Sequence, residues 1–316
     1  MQLKCYQIDA FTDAPFAGNP AAVVLLPRRA LPLSNATRQA IAAEFNLSET
    51  AYLEYEGGDA DEDSAVFASK SRFRLRWFTP AAEVVLCGHA TLAAAAALLF
   101  EEGNPAAELV FDTLSGELRV ARQPAAQPGS GSGSPGGRLS MDLPLVGAST
   151  AEVPADMQAA SPLVQAACGG LPVSDVLYAA QLRYLTIVLD GTGDATRQAF
   201  LALQPSTSEL VAADPGGQLV GVIVTMQADG QQHDFYSRFF GPWVGITEDP
   251  VTGSAHSILG PYWADRLGCQ QLRARQCSAR GGELAVEVRR GEGRVTVTGN
   301  AVTTLRAQLL LPQGSQ

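Results

Sequence analysis

Histidine is scarce in this chain of 316 residues: only His89, His233 and His256 occur. None has a second ligand at H-x-H or H-E-x-x-H spacing, so a metal enzyme is not expected. The five cysteines, Cys5, Cys87, Cys168, Cys269 and Cys277, are odd in number, widely spaced and form no C-x-x-C pair. Neither a zinc knuckle nor a redox couple fits that pattern, and reduced thiols are the default. Basic residues are outnumbered, 22 against 32 acidic, for a formal net charge of −10. A surface that tracks phosphates is disfavoured, and nucleic acid is not an expected partner. No apolar run approaches ~18 residues. The longest, around Ala90 to Phe100, is mostly alanine and contains Thr91. No membrane partner is expected. The opening MQLKCYQIDAF has neither the apolar core nor the small-residue cleavage site of a signal peptide, which predicts a cytoplasmic protein.

The length suffices for two domains, each with its own core, and the chain repeats itself accordingly. Arg76-Trp77-Phe78-Thr79-Pro80 answers Arg238-Phe239-Phe240-Gly241-Pro242. Each is followed by a short loop, then Cys87-Gly88-His89-Ala90 in the first half and Thr252-Gly253-Ser254-Ala255 in the second. Further on, Gly116-Glu117-Leu118 matches Gly282-Glu283-Leu284, at 28 residues from Gly88 and 29 from Gly253. Two motifs in one order at one separation predict two structurally similar domains. The expected boundaries are 1–123 and 139–302, with a C-terminal strand near 303–312 that returns to the first domain. Between them, 124–138 is rich in glycine, serine and proline and reads as a flexible loop or linker. A second polar stretch, EGGDADEDS at 56–64, reads as an exposed acidic turn.

Local patterning predicts mixed α+β structure. Strands are expected at 7–11, 21–26, 72–78, 108–111, 117–121, 182–189, 219–225, 233–240, 284–288 and 294–298. A helix over 34–45 has Ser34 as N-cap and Asn46 as left-handed stop. The segment LSETAYLEY after it reads as a strand that places Leu47, Glu49, Ala51 and Leu53 on one face, and Ser48, Thr50, Tyr52 and Glu54 on the other. A carboxylate on the apolar face attracts notice, because burial makes a carboxyl group an acid and base usable near neutrality. The plainer alternative is a strand-end glutamate that reaches solvent.

Gly88 and Gly253 each lead into a helical stretch. A helix start presents unpaired N–H groups and a partial positive charge, so it can hold a carboxylate or phosphate. Thr252 and Ser254 are equally ordinary capping residues, with Asp249 complementing the dipole. Cys87 would be a low-pKa thiolate candidate at such a position, or simply a small buried residue closing the run VVLC. Its counterpart in the repeat is Thr252, whose hydroxyl cannot serve as a second thiol base. Two-thiol racemisation is thereby disfavoured. A hydrolytic triad of Ser254, His89 or His256, and Asp249 can be written down, but Ser254 lacks the G-x-S-x-G elbow. His256, two residues further along the same helix, points elsewhere.

The segments DAFTDAPFAGNPAAVVLL, NLSETAYL, RWFTPAAEVVLCGHATLAAAAAL and EDPVTGSAHSILGPYW, which span nearly the whole chain in order, resemble the PhzF-type phenazine-biosynthesis isomerases. The resemblance implies a diaminopimelate-epimerase-like fold: two similar α+β domains, each a curved mixed or antiparallel sheet around a central helix, with an active site in the cleft between them. It further implies a homodimer without metal or organic cofactor that acts on a small carboxylate-bearing metabolite. By the resemblance Glu49 is the acid/base, with His89 and Asp249 beside it in catalysis. Gly88, Gly253, Ser254, Ser48 and Asn19 bind substrate, and Cys87 and Thr252 are auxiliary. The expected activity is an isomerase that shifts a proton and a double bond. The alternatives are a non-catalytic binder of small anions or proteins and, less favoured, a Cys87-based racemase or a serine hydrolase.

Overall fold

The computed structural model describes residues 1–55, 65–124 and 137–311. The acidic turn 56–64 and most of the 124–138 segment lie outside the described residues. The chain divides into two compact units, Met1–Asp142 with Val297–Gln316, and Leu143–Thr296.

In the first unit the strands are β1 (Gln2–Ala10), β2 (Asn19–Leu26), β3 (Glu49–Glu54), β4 (Arg72–Phe78), β5 (Glu83–Val84), β6 (Glu108–Thr113), β7 (Gly116–Arg122) and β8 (Gly137–Pro144). They lie in the order β1-β2-β3-β4-β6-β7-β8, with β5 on β4. β2 runs parallel to β3, and β3 antiparallel to β4. Beyond β1 the C-terminal part of the strand Arg294–Leu310 adds antiparallel, pairing Gln2 with Leu310 and Ala10 with Ala301. The helices are α1 (Asn35–Phe45), the single turn α2 (Val66–Ser69) and α3 (Gly88–Ala96). α3 is buried at all nine residues and touches β1, β2, β3 and β7. The sheet therefore curves around it, and its alanine-rich sequence gives a helix thin enough to be surrounded. α1 covers the opposite face, where Ile41 and Ala42 pack with Val24, Leu26 and Tyr52. Ser34 Oγ accepts the Thr37 N–H at 3.0 Å, and Asn46 ends α1 at φ +50°, so both capping expectations hold.

The alternation in β3 carries less than the sequence suggested. All six residues from Glu49 to Glu54 are buried, because helices cover the sheet on both sides. Tyr52 and Glu54 do not face water. Nor does Glu49, so the solvent-reaching alternative fails.

In the second unit β9 (Val173–Ala179), β10 (Tyr184–Leu189), β11 (Gly221–Gln227), β12 (Phe235–Gly241), β13 (Ile246–Asp249), β14 (Gln271–Gln276) and β15 (Gly282–Arg289) follow the order β15-β14-β12-β11-β10-β9, with β13 on β12. Helices α4 (Pro162–Cys168), α5 (Asp194–Leu201) and α6 (Thr207–Ala213) cover one face, where Leu163, Phe200 and Leu210 meet Leu185, Val222 and Val224. On the other face lies α7 (His256–Leu267), whose Trp263 stacks on Phe235 with ring centroids 5.8 Å apart. Trp263 Nε1 donates to Thr225 Oγ1 at 3.0 Å.

The sequence repeat corresponds to a repeated structural device. In β4, Arg76 forms a forked ion pair with Glu83, both contacts 2.7 Å, while its guanidinium lies 5.2 Å from the Phe78 ring centroid. In β12, Arg238 grips Glu248 at 2.7 and 3.0 Å and lies 5.1 Å from the Phe240 ring. A planar guanidinium satisfies a carboxylate with its edge and an aromatic ring with its face. Each fork thus ties a strand to the short antiparallel strand from which the chain runs on to the unit's central helix.

Candidate active site

Glu49 is the first residue of β3, and Asn19, which immediately follows the left-handed Gly18, is the first of β2. A side chain at Gly18 would meet the Ala10 carbonyl oxygen at 2.2 Å, so glycine is required for the turn that presents Asn19. The start of α3 supplies Cys87 and His89. Asn19 Nδ2 lies 3.1 Å from His89 Nδ1, and Ser48 Oγ donates to Asn19 Oδ1 at 3.1 Å. Cys87 Sγ is 3.5 Å from the same ring nitrogen. On the other side of the ring, His89 Nε2 approaches Glu49 Oε2 at 3.1 Å. That approach is off the line of a hydrogen bond, and neither atom has another partner among the described residues. All five side chains are buried or nearly so.

The arrangement serves both protonation states of His89. As drawn, the Asn19 amide donates to Nδ1 and leaves the ring proton on Nε2, toward Glu49. Turning the amide over reverses its bonds to Ser48 and His89 and accommodates an imidazolium, since a serine hydroxyl can donate or accept. Burial opposes the charged form, yet the Cys87 sulfur and the Glu49 carboxylate hold the imidazole well above its ordinary pKa. Cys87 itself is pushed up to about 11, chiefly by burial and then by Glu49. At neutral pH it is therefore a thiol. Of the two readings of Cys87, the buried residue fits better than the low-pKa thiolate, because desolvation raises the thiol.

The first turn of α3 leaves the N–H groups of Gly88 and His89 without a partner among the described residues. They are the donors an anion requires.

In the second unit, Asp249 ends β13 and its carboxylate accepts the Thr252 hydroxyl. Gln276, the last residue of β14 and fully buried, closes the same loop. Its Oε1 accepts the Thr252 N–H at 2.8 Å, and its Nε2 donates to the Asp249 carbonyl at 2.7 Å and to Thr252 Oγ1 at 3.2 Å. The loop emerges as a turn at Gly253 and Ser254 whose N–H groups have no partner among the described residues. Ser254 Oγ lies 3.2 Å from the Tyr184 hydroxyl. Thr252 and Ser254 are not caps: α7 begins at His256 and no side chain caps it. The triad is not assembled either. His256 Nδ1 donates to the Thr252 carbonyl at 2.9 Å, and burial lowers its pKa to about 4. It is a neutral structural histidine, as expected.

Gln276 and Tyr184 carry no signal in the sequence. Tyr184 sits in an ordinary strand pattern and Gln276 in a segment without a clear one, and only the pairing of distant strands brings them to the turn.

Two α+β units built around central helices, with a buried glutamate–histidine pair at one helix start and a clamped glycine turn at the other, define a protein of the diaminopimelate-epimerase-like fold. The phenazine biosynthesis-like family model, PhzC-PhzF, matches residues 8–307. The chain is 42% identical over 313 residues to a mouse phenazine biosynthesis-like domain-containing protein 1, covering 98% of this chain and 99% of that protein. It is 41% identical over 311 residues to an uncharacterised isomerase of Pseudomonas aeruginosa, covering 98% and 100%. The crystal structure of a PhzF-family protein from Enterococcus faecalis superposes with a TM-score of 0.78 at 36% identity, again over 98% and 100%. The chain thus belongs to the PhzC-PhzF family of phenazine biosynthesis-like proteins. Among the described residues no helix is long and apolar enough to cross a membrane.

Proposed function

We propose that this isomerase shifts a proton, and with it a double bond, in a small carboxylate-bearing metabolite, and that Glu49 carries the proton. The observation that supports this most is the buried Glu49–His89 pair, 3.1 Å apart, in which each partner keeps a polar atom unspent. A carboxylate held this way is positioned before substrate arrives, and a poorly aligned contact in the free enzyme tightens once the reacting groups are in place. Glu49 takes a proton from one carbon. The released electron pair forms the new double bond, and the shifted π-electrons take the proton back at another carbon. His89, which faces Glu49 at 3.1 Å, stabilises the carboxylate before the proton is taken and again once it has been returned. Asn19 and Ser48 orient the ring.

Amide N–H groups at Gly88, Gly253 and Ser254 are assigned to the substrate's carboxylate and to charge that develops in the reaction. With its carboxylate engaged by Thr252, Asp249 is assigned to holding the Gly253 turn in place. It is a positioning residue in this reading and not a proton carrier.

Solvent-deuterium uptake into a panel of small unsaturated carboxylates tests the assignment. Glu49→Gln should lower exchange by about 10²- to 10⁴-fold while leaving the circular dichroism spectrum and melting temperature near those of the parent. Exchange that survives in this variant but vanishes in Cys87→Ala would transfer the role to Cys87. Tight binding of a carboxylate with no exchange at all would make the protein a binder.

A further inference from the structure

Cys87, His89 and Glu49 are more than the parts of an acid–base site, because sulfur, imidazole nitrogen and carboxylate oxygen from the three lie within 4.8 Å of one another. We propose that they form a binding site for a thiophilic divalent cation of the zinc class, and that its occupancy switches proton transfer off.

The spacing supports this donor set. Zinc binds thiolate sulfur at about 2.3 Å and imidazole nitrogen at about 2.0 Å, so a tetrahedral centre holds those two atoms about 3.5 Å apart. Cys87 Sγ and His89 Nδ1 are 3.5 Å apart without any metal. The Glu49 carboxylate, which faces the Nε2 edge of the ring without metal, turns toward Cys87 to become the third ligand, the atoms of all three side chains lying within 4.8 Å of one another beforehand. A mixed sulfur, nitrogen and oxygen set of this kind favours a borderline-soft ion over magnesium or calcium. The surroundings also adapt: if the Asn19 amide turns over, its Oδ1 faces the ring nitrogen's new occupant while Ser48 exchanges donor for acceptor. Asn19 Oδ1 or a substrate oxygen then completes the fourth corner.

The proton balance is simple. Cys87 gives up its thiol proton and His89 any proton on Nδ1, both pass to solvent, and nothing is oxidised or reduced. A Glu49 oxygen that ligates the cation can no longer take a proton from carbon. The site itself is independent of any reaction, but the switching rests on Glu49 being the proton carrier.

Cobalt(II) is the probe, added to chelator-treated full-length protein. One equivalent should produce a thiolate-to-cobalt charge-transfer band that zinc(II) displaces. The band should disappear in Cys87→Ser and persist in Cys269→Ser, which alters an exposed cysteine. Absence of the band in the parent protein, or its survival in Cys87→Ser, overturns the site. Saturating zinc should slow solvent-deuterium exchange at least about tenfold, with chelator restoring it. Exchange at an unchanged rate in zinc-loaded protein overturns the switch. Unimpaired exchange in Glu49→Gln would instead sink the assignment of the proton carrier, and the cobalt spectrum would still report on the site.

Discussion

His256 Nδ1 lies 2.9 Å from the carbonyl oxygen of Thr252, inside a fully buried environment that lowers the histidine's pKa to about 4. An unfolded chain protonates the same side chain near 6.5. The folded pKa is the lower one, so its contribution is present above about pH 6.5 and is lost as pH falls toward 4. The difference amounts to roughly 3 kcal/mol. Urea unfolding of the parent between pH 7 and 4 should show this loss, and His256→Gln should flatten it. An equally steep loss in the variant would assign the acid sensitivity to other groups.

His89 has the opposite sign. Burial disfavours its charge, but Cys87 and Glu49 raise its pKa well above the ordinary value. The resulting stability is complete below about pH 6.5 and is lost as pH rises through the folded pKa. His89→Gln should therefore cost most under mildly acidic conditions and progressively less in alkali. A cost independent of pH would mean that His89 is neutral in the fold.

Gln276→Ala removes three bonds that hold the Asp249–Thr252 loop. It leaves the buried Thr252 N–H without its acceptor, at a cost of about 1 to 3 kcal/mol. Because the Gly253 turn loses its support, we expect weaker carboxylate binding measured calorimetrically, along with a lower melting temperature. Unchanged affinity in a destabilised variant would separate the loop from ligand recognition.

Gly221 leaves room for a ring. A methyl group there would stand 2.2 Å from Phe239, which packs edge-on against Tyr184 at 5.0 Å between centroids. Tyr184 in turn meets Ser254. Gly221→Ala should cost about 1 to 3 kcal/mol by overpacking and raise KM more than it lowers kcat. An effect on kcat alone would argue against Ser254 as a substrate contact.

What the sequence revealed was local or repeated. Ser34 and Asn46 announce the ends of α1 because capping chemistry is carried by the capping residue itself. The matched Arg76 and Arg238 segments lead to equivalent strands. Alternation points to Glu49 for a reason the structure replaces, because burial on both faces of β3 does not depend on alternation at all. What escaped notice depends on long-range pairing. Gln276 belongs to β14, a strand whose QLRARQ pattern gives no clear signal, and Val173–Ala179 was also missed. Helices α4, α5 and α6 are seven or eight residues long, too short for periodicity to establish. The sequence around Cys87 suits a reactive thiolate or a buried filler, and only the burial around it decides between them.

The first unit takes its final strand from the end of the chain, where Leu310 pairs with Gln2. During synthesis β1 is made long before this partner, because the whole second unit lies between them in the sequence. Until then that edge is a row of unpaired amides and carbonyls, open to any neighbouring strand. Mispairing at this edge is thus a hazard of the first unit for as long as the strand Arg294–Leu310 has not joined it.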